Sequence, residues 1–96
     1  MRIYIGTDAA GLEGLRSGSL EGAPVLAESD DEEHEYEAML AAAEDGPVVV
    51  VAEIDHGEQP VTAREVVSFH TDIDGSGNLA WFAPEEIDTV LEHLSR

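Results

Sequence analysis

His70 lies two residues after Ser68 and two before Asp72. On an extended strand, where successive side chains alternate between faces, these three share one side. Serine, histidine and aspartate are the residue types of nucleophilic acyl transfer, but the spacing argues against that chemistry. Side chains at i and i+2 stand about 6.5–7 Å apart, which places the serine out of hydrogen-bonding reach of the histidine. No nucleophile-elbow or oxyanion-loop sequence accompanies them. No catalytic residue is assigned, and a non-enzymatic role is expected.

The next residues suggest a cation. Asp72-Ile73-Asp74-Gly75-Ser76-Gly77-Asn78-Leu79 matches an EF-hand calcium loop at positions 1, 3, 5, 6 and 8. Position 12, the bidentate glutamate of that loop, is Ala83, and the segment before it reads as strand rather than helix. Asp and Gly here also suit a hairpin turn, because both tolerate positive φ, and that reading is adopted. Asp72, Asp74 and His70 are kept as the candidate ligands of a divalent cation. His34-Glu35 begins a zincin signature whose second histidine is missing, since position 38 is Ala. Histidines also adjoin acids at Asp55-His56-x-Glu58 and Glu92-His93, but 22 acids in 96 residues give every histidine such neighbours by chance. Gly11-x-x-Gly14 lacks the lysine and third glycine of a phosphate loop. No cofactor is assigned.

The same acids dominate the composition. Against them stand only Arg2, Arg16, Arg64 and Arg96, with no lysine, for a formal net charge of −18. Apolar residues nevertheless make up 43% of the chain and fall in periodic segments, so a folded domain is expected rather than disorder. An acidic, lysine-free, folded chain has the composition of a halophilic archaeal cytosolic protein. Molar salt shortens the Debye length to about 3 Å and screens carboxylates that would repel one another in dilute buffer. Four scattered arginines cannot neutralise a row of phosphates, which excludes nucleic acid as a partner. The absence of cysteine removes disulfides, thiolate zinc sites and thiol nucleophiles. Met1 to Gly6 lacks the apolar stretch of a signal peptide, and no run reaches the 18 or so apolar residues of a membrane span, so a cytoplasmic location is expected.

Positioning these residues requires one domain over residues 1–96. Ile3 and Ile5 alternate with Arg2 and Tyr4 as a first strand ending at Gly6. Thr7-Asp8 then caps a short helix with Leu12 and Leu15 inward. Ser17 to Gly22 reads as a linker, and Ala23 to Ala27 as an edge strand, since Pro24 has no N–H to give. Ser29-Asp30-Asp31-Glu32 fits a capping box, opening a helix whose buried stripe is Tyr36, Met39, Leu40 and Ala43. The run Val48 to Val51, bounded by Pro47 and Gly57, reads as a central strand. Arg64 to Ile73 alternates, with Val67 and Phe69 on one face and Val66, Ser68 and His70 on the other. Leu79 to Phe82 returns as a hairpin, with Trp81 and Phe82 on opposite faces. The last helix starts at Pro84 and buries Ile87, Val90, Leu91 and Leu94. These elements predict an α/β (α+β) fold: a small two-layer sandwich, with a mixed sheet of four or five strands and two or three helices.

With the segments laid out, the chain resembles a family of small proteins of halophilic archaea and actinobacteria. The resemblance rests on Met1-Arg2-Ile3-Tyr4, Leu12-x-x-Leu15, Glu32-Glu33-His34-Glu35-Tyr36 running into Ala38 and Met39, the valines at 48–51, and Val67-Ser68-Phe69-His70 with Asp72. It covers about the first three-quarters of the chain and implies no activity, cofactor or partner; it implies that the acidic tyrosine helix is a family feature. The residues thus predict an accessory or interaction domain, with Trp81, Val66 and His70 as the contact between two copies of a homodimer. The alternative is a binder of divalent cations or small ligands that uses Asp72, Asp74 and nearby histidines. A nucleic-acid mimic is suggested by charge alone.

Overall fold

Val48 to Ala52 is buried along its whole length, as a β-branched run with strands on both sides must be. In the computed structural model, which describes residues 1–56 and 59–95, this run forms the middle of a five-stranded sheet. The strands are β1 (Arg2–Thr7), β2 (Val25–Leu26), β3 (Val48–Glu53), β4 (Val66–Thr71) and β5 (Ala80–Phe82). The helices are α1 (Ala9–Ser17), α2 (Glu32–Ala43) and α3 (Ile87–Leu94). Gly57, read above as the boundary of the valine strand, Glu58 of the His56 cluster, and Arg96 lie outside the described residues.

The sheet order is β2-β1-β3-β4-β5, and every neighbouring pair is antiparallel. The α+β class and the strand count agree with the sequence reading, but the sheet is not mixed. β2 and β3, which α2 connects, run parallel, but β1 lies between them. The α2 crossover therefore passes over β1 without creating a parallel ladder.

Helices cover both faces, giving three layers where two were expected. Ile3, Ile5, Val48, Val50, Ala52 and Phe69 pack against α1 and α3 through Leu12, Leu15 and Val90. Tyr4, Val49 and Val51 pack on the other face against Ala38 and Ala42 of α2. The valine run is apolar at both parities, so each face needs a cover.

The helix caps follow the expected chemistry, with one displacement. The Asp8 carboxylate accepts from the Gly11 amide at 3.0 Å and starts α1. For α2 the cap is Asp31 rather than Ser29. Asp31 accepts from the Glu33 amide at 2.8 Å, while Ser29 accepts from the Asp31 amide and meets His34 Nδ1 at 2.6 Å. Glu86 accepts from the Ala83 amide at 2.9 Å, closing a 3₁₀ turn over Pro84–Glu86 that leads into α3.

Two corrections decide what the surface presents. The buried residues of α2 are Ala38 and Ala42; Met39 and Ala43 are half-buried, and Tyr36 and Leu40 point outward. A Cβ on Gly6 would lie 1.8 Å from the Ala42 carbonyl oxygen, so the helix backbone rests directly on β1 and leaves room there only for small side chains. The second correction is a β-bulge in β4. Val51 pairs with Ser68 but Ala52 pairs with Val66, leaving Val67 as the extra residue. Val66 accordingly joins Phe69 in the core under α1 and α3, while Val67 packs on the α2 side.

Candidate functional site

Helix α2 packs on β1, β2 and β3, and Trp81 on β5 stands beyond it, 62% exposed. Between them lies an open groove of about 290 Å³. The sheet registers build its floor, with Tyr4, Val51 and Ser68 in line across β1, β3 and β4, and His70 beside Trp81 across β4 and β5. Its walls are Glu35, Tyr36 and Met39 from α2 and Trp81 from β5.

One end of the groove is polar. The Tyr4 hydroxyl donates to Glu35 Oε1 at 3.4 Å, and Arg2 Nη1 lies 3.5 Å from the same oxygen. Arg2 holds Glu53 more closely, donating from Nε at 2.8 Å. That hydrogen bond raises the guanidinium pKa above its ordinary value, while burial, followed by the charge on Glu35, raises that of Tyr4.

On the groove floor Ser68 Oγ and His70 Nε2 are 2.8 Å apart, which corrects the expectation that the pair stays out of reach. The separation of side-chain origins at i and i+2 is not that of their polar tips. An imidazole leaning along the strand closes the gap. The third residue does not join them. Asp72 turns into its own loop, where Oδ1 accepts from the Asp74 and Gly75 amides at 3.2 and 2.8 Å and Oδ2 from the Gly77 amide at 2.8 Å. Ser68 and His70 thus form a hydrogen-bonded pair, and among the described residues no carboxylate is hydrogen-bonded to the imidazole.

Burial depresses the His70 pKa below the ordinary histidine value of about 6.5. As pH falls, the unfolded chain takes this proton before the folded one does. The contribution of the neutral imidazole is complete at neutral pH and is lost as pH drops through the unfolded value toward the folded one. The melting temperature of the wild type should therefore fall relative to His70→Gln between pH 7.5 and pH 5.5. A difference that stays constant across that window would show that His70 has the same pKa folded and unfolded.

The cation candidates separate. Asp74 accepts from the Ser76 amide at 3.0 Å, and Gly75 and Gly77 take positive φ of 78° and 89°, as a glycine-rich hairpin loop requires. His34 is at the start of α2, His56 is exposed after β3, and His93 Nε2 meets the Asp72 carbonyl at 3.2 Å. Among the described residues no three His, Asp or Glu side chains are grouped to hold a metal ion.

No known protein family, curated protein or solved structure matches this chain. Among its described residues no helix is long and apolar enough to cross a membrane.

Of the three residues read as a contact patch, Trp81 and His70 face each other across β4 and β5, but Val66 belongs to the opposite core. Val67 takes its place in the groove. The sequence reading did not foresee Arg2, Tyr4, Glu35, Tyr36 or Met39 as parts of a site. One signal was present: α2 carries two candidate stripes, Tyr36–Leu40 and Ala38–Ala42, and a glycine in the facing strand favours burial of the small one.

Proposed function

We propose that this protein is a non-enzymatic recognition domain of a salt-rich cytoplasm, and that the groove between α2 and β5 is its binding surface. One observation carries this reading: Trp81 and Tyr36, each 62% exposed, flank the half of the sheet that α2 does not cover. Large aromatic side chains left in water beside a groove are the usual material of a binding surface. Catalysis is the less favoured use of the groove because no carboxylate among the described residues is hydrogen-bonded to the Ser68–His70 pair.

A fragment library containing cationic, anionic and neutral aromatic compounds, titrated into ¹⁵N-labelled protein in 2 M KCl, tests the reading. The expected result is saturable amide shifts confined to Val51, Val67, Ser68, His70, Trp81 and their α2 neighbours. Silence of these amides to every chemical class would overturn it, as would turnover of a metabolite that is lost in Ser68→Ala.

A further inference from the structure

The chemistry of the groove narrows what it can hold. Of the five aromatic residues in the chain, Phe69 and Phe82 pack in the core under α1 and α3, and the other three, Tyr4, Tyr36 and Trp81, line this groove. They stand on different elements. α2 lies over β1, β2 and β3, and Trp81 is two strands beyond β3, so at about 4.8 Å per strand the near edge of α2 is about 10 Å from Trp81. A cation is attracted to an aromatic ring within about 6 Å of its centroid. A groove of this width lets one cation approach a ring on either side, Tyr36 on the α2 wall and Trp81 on the β5 wall.

Charge points the same way. Glu35 lines the groove, and its Oε1 holds Tyr4 and Arg2 only at long range, 3.4 Å from the hydroxyl and 3.5 Å from Nη1. Arg2 does not neutralise it fully, because its closer contact is with Glu53. The whole chain, at −18, draws cations in and repels anions. The volume, about 290 Å³, is at the small end of ligand sites and suits a compact molecule.

We propose that the groove binds a small methylated ammonium cation between Tyr36 and Trp81, with the Glu35 carboxylate as its counter-charge. This rests on the groove being the binding surface and adds the class of ligand. Methyl groups spread the positive charge over a surface that sheds water readily, which suits aromatic walls better than a strongly hydrated potassium ion. The site therefore discriminates against the salt around it.

Trp81 is the only tryptophan in the chain, so its fluorescence reports occupancy directly. Choline chloride titrated into the intact protein in 2 M KCl should change Trp81 emission saturably. Its uncharged carbon isostere, 3,3-dimethylbutan-1-ol, should bind at least tenfold more weakly. Tyr36→Ala removes an exposed side chain and should weaken choline about two- to fivefold, the worth of one exposed cation–π contact. Glu35→Gln should weaken choline while leaving the isostere unchanged. Equal binding of choline and the isostere would overturn the proposal, as would an emission change that never saturates. If neutral fragments shift the groove amides and choline does not, the binding surface stands and the cation assignment falls. If neither does, both fall.

Discussion

Gly6→Ala lowers the melting temperature by about 15 °C. The new methyl group would lie 1.8 Å from the Ala42 carbonyl oxygen and 3.0 Å from Asp45 Cβ. The first obstacle is helix backbone, so no side-chain rotation relieves it and α2 must lift from β1. Overpacking of this kind costs about 3 kcal/mol, and in a domain of this size each kcal/mol lowers the melting point by about 5 °C. Because α2 also carries Glu35, Tyr36 and Met39, the same methyl group spreads the groove walls, and binding should weaken in protein that is still folded. Gly14→Ala provides the contrast. There the nearest neighbour of the new atom is 3.5 Å away, on an exposed turn of α1, so alanine gains up to about 1 kcal/mol of helix propensity. The same substitution should thus have opposite signs at two glycines, read by thermal unfolding at fixed salt. Equal melting points for Gly6→Ala and wild type would mean that α2 does not rest on β1 as described.

Raising KCl from 0.1 M to 2 M increases the melting temperature by at least about 10 °C. At 0.1 M the Debye length is about 10 Å, so carboxylates on neighbouring turns and strands repel one another across the surface; in the molar range it is about 3 Å and the repulsion is confined to contact. Salt also weakens the attractive pairs, but among the described residues these are few: Arg2 with Glu53 and Glu35, Arg16 with Asp88, the N-terminal amine with Glu53, and, when it is protonated, His34 with Glu28. Exposed pairs contribute at most about 1 kcal/mol each, so the net effect follows the unpaired acids. Replacing the exposed Glu33, Glu37 and Glu44 together by glutamine should flatten the salt dependence and raise stability at 0.1 M. A melting temperature that is flat in KCl would remove the halophilic reading, which rests on composition.

Element by element, the chain's own pattern predicts most of the framework. Ile3 and Ile5, Leu12 and Leu15, the valine run and the Ile87–Val90–Leu91–Leu94 stripe all pack where their periodicity places them. The hairpin after Thr71 follows from Asp72, Gly75 and Gly77, whose side-chain and backbone preferences are local. These are properties of short segments, and short segments are what periodicity records.

The candidate site was less legible, for three physical reasons. Periodicity shows that Tyr36, Met39, Leu40 and Ala43 share a side of α2, but not that a glycine in β1 brings the backbones too close for a large residue to fit beneath. Alternation places Val66 with Ser68, and a bulge costs one residue of register that no local pattern marks. Spacing along β4 separates the Ser68 and His70 side-chain origins, while the lean of the imidazole joins their tips.

From its sequence alone, then, this protein is an acidic, cysteine-free α+β domain with its strands, its helices and most of its core residues assigned. Burial and turn chemistry are encoded within each element, and charge is a sum that needs no coordinates. Only the tertiary structure decided that α2 covers β1, β2 and β3 and leaves β4 and β5 open on that side, bringing Tyr4, Glu35, Tyr36, Ser68, His70 and Trp81 to one groove. That choice depends on how closely a helix and a strand far apart in the chain approach each other, and Gly6 against Ala42 sets that distance.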